Sequence, residues 1–266
     1  MEFLRIYGSY VRMFFKAQME YRFSFFSGMF ANFYCYFITY ATFWVITQQF
    51  GTVGGWKFED MTILYGLNLL PYSLAGVLYW FTIFHLEREI TSGNLDSYLI
   101  RPMGLIKHLI CRRFGDTFLG QILVTFIFMV LAVANISYQM TLFSYIYLVF
   151  AVLGGILIHA GAMIILGSLN FWTLRSNALA GVVYYDMREF THYPLSIFPP
   201  FIRIILTYGL PWAIINYYPS LIILNKVQTT EEFVLGILSP VIGILFFLLS
   251  LFVFNRGLRR YSGSGS

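Results

Sequence analysis

Five apolar runs, at about residues 23–50, 61–84, 114–137, 142–172 and 233–254, occupy about half of this 266-residue chain. A helix needs about 20 apolar residues to cross roughly 30 Å of hydrocarbon, and it satisfies its own backbone hydrogen bonds there. Each run passes that test. The chain is 59% apolar and 11% charged, with a mean hydropathy of +0.72, too apolar for a water-facing globule. An all-α integral membrane protein is the expected fold class.

The stretch from 176 to 225 resists the same reading. It carries Asp186, Arg188, Glu189 and His192, then Pro194, Pro199, Pro200, Pro211 and Pro219. Hydropathy alone places a span at about 197–224, with 175–193 as a cytosolic or interfacial helix. The proline spacing instead allows a span starting near Asn177, followed by short helices that dip into the outer leaflet without crossing it. Either version gives six transmembrane helices, with 194–225 as a Pro-rich fifth span or a re-entrant region.

The positive-inside bias sets the orientation. Arg5, Arg12, Lys16, Arg22, Arg88, Arg101, Lys107, Arg112, Arg113, Arg175, Arg256, Arg259 and Arg260 fall on one side, whereas the opposite loops hold Lys57 and Lys226 beside Glu59, Asp60, Glu231 and Glu232. Both termini and the loop at 85–113 are therefore expected in the cytosol. The net charge of +5 records this asymmetry and an attraction for anionic lipid, so no nucleic-acid partner is expected.

No internal repeat or Pro/Gly/Ser linker divides the chain, so residues 1–266 read as a single transmembrane domain. Residues 1–22 place Phe3, Leu4, Tyr7, Val11, Phe14 and Phe15 near one helical face, the pattern of a helix lying in the membrane interface. No apolar run followed by a small-residue cleavage site opens the chain, so the first span is expected to be retained. Cys35 and Cys111 alone suggest neither a disulfide framework nor a Cys-based metal site. The flexible tail 262–266 is assigned no function.

The segment 85–113 is the clearest functional signal. Residues 86–91 extend the second span as a charged helical turn, Ser92-Gly93 stops the helix with Gly free to take positive φ, and Asp96 is placed to cap the short helix after it. That short helix, at 96–100, ends before Pro102, because the residue preceding proline avoids helical angles. An amphipathic stretch at 105–110 leads to Arg112 and Arg113. The expectation is a compact knob that docks something soluble.

Ionisable groups in or near spans are functional suspects. Asp116 is expected to pair with Arg112 or Arg113, and His159 to be a hydrogen-bonded packing residue. Asp186, Arg188, Glu189 and His192 form the densest polar cluster: a substrate route if they enter the membrane, a solvated group if they stay at its surface. The fourth apolar run carries Gly154, Gly155, Gly161 and Gly167, which permit close helix approach within one subunit or at a dimer seam. The aromatic content, 20%, suits a lipid-facing belt or the wall of an amphiphile path.

An intramembrane enzyme would need chemistry that the sequence lacks. Its histidines, His85, His108, His159 and His192, show no His-Glu-x-x-His spacing, and there is no Gly-x-Ser-x-Gly turn. No metal site is expected. A secondary transporter or channel not driven by ATP is the nearer alternative, since a broken Pro-rich segment suits one.

The topology, the interfacial N-terminal helix and the loop residues Glu89, Gly93, Leu95, Asp96, Leu99, Arg101 and Pro102 together resemble the membrane subunit of ABC-2 type exporters. Phe171-Trp172-Thr173, Tyr193-Pro194, Arg203, Leu210-Pro211 and Tyr217-Tyr218-Pro219 resemble ABC-2 family permeases over almost the whole chain. The resemblance implies a cytosolic coupling helix that fits a groove on a separate ATP-binding subunit, present in two copies with its ATP and Mg. Glu87, Arg88, Glu89, Gly93, Asp96, Arg101 and Pro102 are then the ATPase-coupling positions. It also implies a second permease copy or a related permease, and export of an amphiphile such as a drug, antimicrobial peptide or lipid-like compound across a bacterial plasma membrane. The sequence contains no Gly-x-x-x-x-Gly-Lys-Ser/Thr loop, so no cofactor is expected on this chain.

Overall fold

The computed structural model describes residues 2–100, 103–112, 114–136, 140–173 and 177–261. Each apolar run forms a helix. In chain order these are α1 (Glu2–Glu20), α2 (Arg22–Phe50), α3 (Phe58–Thr91), the short α4 (Leu95–Leu99) and α5 (Leu105–Arg112), α6 (Leu119–Asn135), α7 (Leu142–Ser168) and, near the C-terminus, α8 (Thr230–Leu258). Five stretches are long and apolar enough to cross a membrane: α2, α3, Asp116–Asn135, Leu142–Thr173 and α8. Among the described residues there is no β-strand, only an isolated bridge between Val53 and Trp56 in the α2–α3 connection.

The helices pack through glycine and proline. A Cβ at Gly154 of α7 would stand 2.7 Å from the Cα of Pro240 in α8, and one at Gly243 would stand 2.5 Å from the Gly154 carbonyl oxygen. Only hydrogen fits there, so α7 and α8 touch backbone to backbone. On the other flank Gly155 faces Pro71 of α3, whereas Gly161, on the α8 side, faces Phe246. These three glycines of α7 thus serve packing inside one subunit. Proline inside a helix leaves the carbonyl four residues earlier without its N–H. For Pro240 that carbonyl belongs to Gly236, and the Tyr147 hydroxyl of α7 donates to it. The bundle therefore repairs, from a neighbouring helix, the bond its own proline removed.

The end of the bundle bearing the α2–α3 connection collects the acidic helix starts. Asp60 accepts from the Lys57 backbone N–H at 3.0 Å, while Glu232 and Thr229 exchange hydrogen bonds at the start of α8. Carboxylates there complement the positive ends of the helix dipoles. Lys226 pairs with Asp60 at 3.0 Å. Arg203 lies at this end too, donating to the Ser196 and Phe198 carbonyls, and so joins Lys57 and Lys226 in a tally that sequence alone had left at two.

Between α7 and α8 the chain breaks into pieces. Asn177–Gly181 is α-helical, Val182–Asp186 is a π-helical turn, and Met187–Glu189 and Phe190–His192 complete a rod packed along α3 and α7. Beyond it, Ile197 meets Gly54 at the α2–α3 connection. The chain then dips inward until Trp212 stands 5.4 Å from the His159 ring, ring centre to ring centre. It climbs back past Trp56, stacked on Tyr217, to Lys226, which donates to the Gly55 carbonyl at 3.1 Å. Hydropathy alone put a crossing at 197–224, yet both ends of that stretch lie at one end of the bundle. The physical cause is the series Pro199, Pro200, Pro211 and Pro219, which cuts the run into helices too short to span.

Apolar surface faces outward along α2, where Phe23, Phe26, Phe30, Tyr34 and Trp44 are exposed, and along α8. Much of the aromatic content is thus placed on the surface a lipid would cover.

Candidate functional site

Two places concentrate polar chemistry. The first is the knob beyond the end of α3. Ser92 closes α3, its N–H bonding the Arg88 carbonyl at 2.9 Å, and Gly93 comes next at φ 72° with its N–H on the Ile90 carbonyl at 3.1 Å. A left-handed residue after the last turn is the usual helix stop, and glycine takes it without steric cost. The chain reverses into α4 and, farther on, α5.

Beneath this reversal lies an apolar cluster of its own. Leu86 and Ile90 of α3 pack with Leu95 and Tyr98 of α4, Leu105 and Leu109 of α5, and also Ile164 of α7 and Phe254 of α8. The knob is thereby seated on the ends of two further helices. Its polar seam is closed as well: the Tyr98 hydroxyl donates to buried Glu89 at 2.8 Å, and the His108 ring lies 4.8 Å from that of Tyr98. Leu99 and Ile100, by contrast, are 44% and 85% exposed at the tip. Arg88, near the end of α3, is exposed as well, and Glu87 and Asp96 are half-buried.

The proposed coupling residues therefore divide. Gly93 sets the turn, Glu89 is internal, and Arg88 lies on the surface. Arg101 and Pro102 fall outside the described residues. Asp96 lies inside the first turn of α4 rather than capping it, since Asn94 occupies the cap position and makes no side-chain cap bond. What residue-by-residue reading missed is the apolar tip, Leu99-Ile100. The available signal was an apolar pair in an otherwise polar loop.

Helix α1 braces the knob. Phe14 and Phe15 pack on Phe114 with ring centres 5.4 and 5.3 Å apart, and Gln18 donates to Asp116 at 3.2 Å. Gln18 of α1 is thus a partner of Asp116, where the sequence suggested Arg112 or Arg113; Arg113 lies outside the described residues. Cys111 is buried on α5, and burial pushes its thiol above the ordinary value.

The second place is a buried polar layer about 20 Å along α3, at Tyr72, counting about 1.5 Å per helical residue. The Arg188 guanidinium lies 3.7 Å above the Tyr72 ring, and the Tyr184 hydroxyl donates to the His159 carbonyl at 2.8 Å. One turn on, Asn68 donates to Thr191 at 2.9 Å, and Asn216 donates to the Thr191 carbonyl at 2.7 Å. Several atoms of this layer find no partner among the described residues: Arg188 Nε and Nη1, Trp212 Nε1, Asn68 Oδ1, Asn216 Oδ1 and both ring nitrogens of His159, which the sequence suggested would be hydrogen-bonded.

The cluster read from sequence is thus split by the rod. Arg188 turns into the bundle, and His192 sets its ring 4.8 Å from that of Tyr65, edge to face. Asp186 and Glu189 are exposed on the rod's outer side. Sequence missed Tyr72, Tyr184 and Trp212 because each sits in an apolar run, where an aromatic residue is ordinary.

A family model described as ABC-2 family transporter protein matches residues 33–265. No curated protein and no solved structure matches the chain.

Proposed function

The chain belongs to the ABC-2 transporter family, and from that premise we propose that it is the permease of an ATP-driven exporter, moving an amphiphile outward across a bacterial plasma membrane. The ATP-binding subunits, two per complex with their ATP and Mg, are separate polypeptides. Two permeases, identical or related, form the membrane part. Six crossings are made by α2, α3, α6, α7, the rod at 177–192 and α8, with 195–226 re-entering from the outer side. Both termini and the knob face the cytosol, in line with the basic residues gathered at that end.

The observation that carries this reading is the knob. It presents an apolar tip, Leu99 and Ile100, on a turn held by Gly93, and its interior is shared with the ends of α7 and α8. A push on α4 is delivered to two membrane helices at once, because packed cores shift as units and do not deform continuously. Nucleotide moves the helices only if the bound partner holds the knob differently in its two states. Glu87, Arg88, Glu89, Gly93, Asp96, Arg101 and Pro102 are its coupling positions. Of the cluster Asp186, Arg188, Glu189 and His192, the inward-turned Arg188 and His192 line the substrate route.

A second reading, secondary transport or a channel, is favoured by the broken helices around Arg188, a pattern such transporters use for binding. Purification of the full chain with its untagged partners, followed by mass identification of every subunit, separates the two. The exporter reading expects a soluble ATPase in the complex, and transport lost when that ATPase is inactivated. Transport by the isolated chain down an ion gradient would favour the second.

A further inference from the structure

The rod at 177–192 brings a guanidinium into the bundle without an anion to meet it. Arg188 is 7% exposed, and its Nε and Nη1 have no hydrogen-bond partner among the described residues. The carboxylates beside it in the sequence, Asp186 and Glu189, are exposed, and among the described residues none forms an ion pair with it. An arginine cannot escape burial by losing its proton. The Tyr72 face, 3.7 Å away, offsets part of the lost hydration but accepts no hydrogen bond along the Nε and Nη1 directions.

A second donor in the same layer is also idle. Trp212 Nε1 has no partner among the described residues, and its ring is joined to Tyr72 through Tyr184, at 5.2 and 6.0 Å between centres. The orphan acceptors of the layer, Asn68 Oδ1, Asn216 Oδ1 and one ring nitrogen of His159, are neutral and leave the Arg188 charge without an anion among the described residues. A permanently charged donor without an anion calls for an oxyanion. Tyr72, Tyr184 and Trp212, all buried, are the aromatic surroundings such an anion would meet.

We propose that Arg188 binds the carboxylate or phosphate of an anionic amphiphile whose apolar part lies against Tyr72, Tyr184 and Trp212. This rests on the transporter reading only in treating such a ligand as cargo. Binding itself needs no ATP-binding subunit.

The test uses the full chain in phosphatidylcholine nanodiscs, titrated with dodecyl phosphate and with dodecyltrimethylammonium while tryptophan fluorescence is followed. The expected result is saturable binding of dodecyl phosphate about tenfold tighter than of the ammonium compound. Arg188→Gln removes that preference, and Arg188→Lys, which keeps the charge, retains part of it. Equal affinity for the two head groups in the native chain overturns the proposal, and this comparison stands even where a variant fails to fold. A preference that survives Arg188→Gln overturns it as well. Mass analysis of lipid carried through purification tells the sources apart. Anionic lipid enriched with the native chain and lost with Arg188→Gln marks a resident lipid; dodecyl phosphate binding without such enrichment marks a cargo-like ligand. An exporter reading that failed would show instead as transport indifferent to ATP, with the head-group preference intact.

Discussion

The knob and the broken rod handle polar groups in opposite ways. In the knob, buried Glu89 has its Tyr98 hydroxyl, and a separate apolar cluster fills the space beneath. In the rod and the re-entrant stretch after it, Arg188 and Trp212 keep idle donors, and the chain passes through π-helical turns at Val182–Asp186 and Ile205–Gly209. A satisfied network is stiff, because any displacement breaks a bond in a poorly solvated place. An unsatisfied one stores a cost that a ligand or a rearrangement can relieve. The difference suits a part that transmits force and a part that receives something.

That contrast is open to attack by substitution. The largest effect is expected of Gly93→Pro, since proline holds φ near about −65° where the chain requires 72°. The knob should lose more than about 3 kcal/mol of local stability. Hydrolysis by the partner should then continue without export, and Asp96→Arg should uncouple in the same sense by reversing a charge on α4. ATPase and transport assays on one preparation decide the point; export at the native rate by both variants removes the lever assignment.

Next comes Tyr98→Phe, which takes one hydrogen bond from the buried Glu89 carboxylate. A loss of about 1–3 kcal/mol is expected, read as a lower melting temperature in nanodiscs. Ile100→Ser should leave melting unchanged and weaken association with the ATP-binding subunit by about 1–2 kcal/mol, as for an exposed anchor at an interface. Titration of the purified partner measures it. The smallest effect has the opposite sign: Arg188→Met, which removes an unpaired buried charge, should raise stability by about 1 kcal/mol. A stability loss there as large as that of Tyr98→Phe would erase the distinction between the two regions.

The sequence carried much of the knob and less of the rod, for a physical reason. Ser92-Gly93 announces a helix stop by local stereochemistry, and α3 does end at Thr91. The spanning helices follow from apolar length alone. Sequence put the short helix of the knob at 96–100, one residue late, because Asp96 is a good capping residue by type while Asn94 holds the position. At 197–224 hydropathy is averaged over windows longer than the pieces the prolines leave, so a descent and return looks like one crossing. The polar layer was half legible: Arg188 and His192 stand out by charge, whereas Tyr72, Tyr184 and Trp212 join them only through tertiary packing. The nesting of Pro71 and Pro240 against Gly155 and Gly154 is likewise a property of two helices together.

The central claim, that the knob is where a nucleotide-driven partner takes hold, is tested most directly by cross-linking from its tip. Ile100→Cys, in a chain whose exposed Cys35 is replaced by serine and whose Cys111 stays buried, would carry a short photoactivatable maleimide in the purified complex. The account predicts a cross-link to the ATP-binding subunit whose yield changes between the nucleotide-free and ATP-bound states. Labelling of Ile100→Cys from the outer side of intact cells, or a cross-link to no ATP-binding protein in either state, would contradict it.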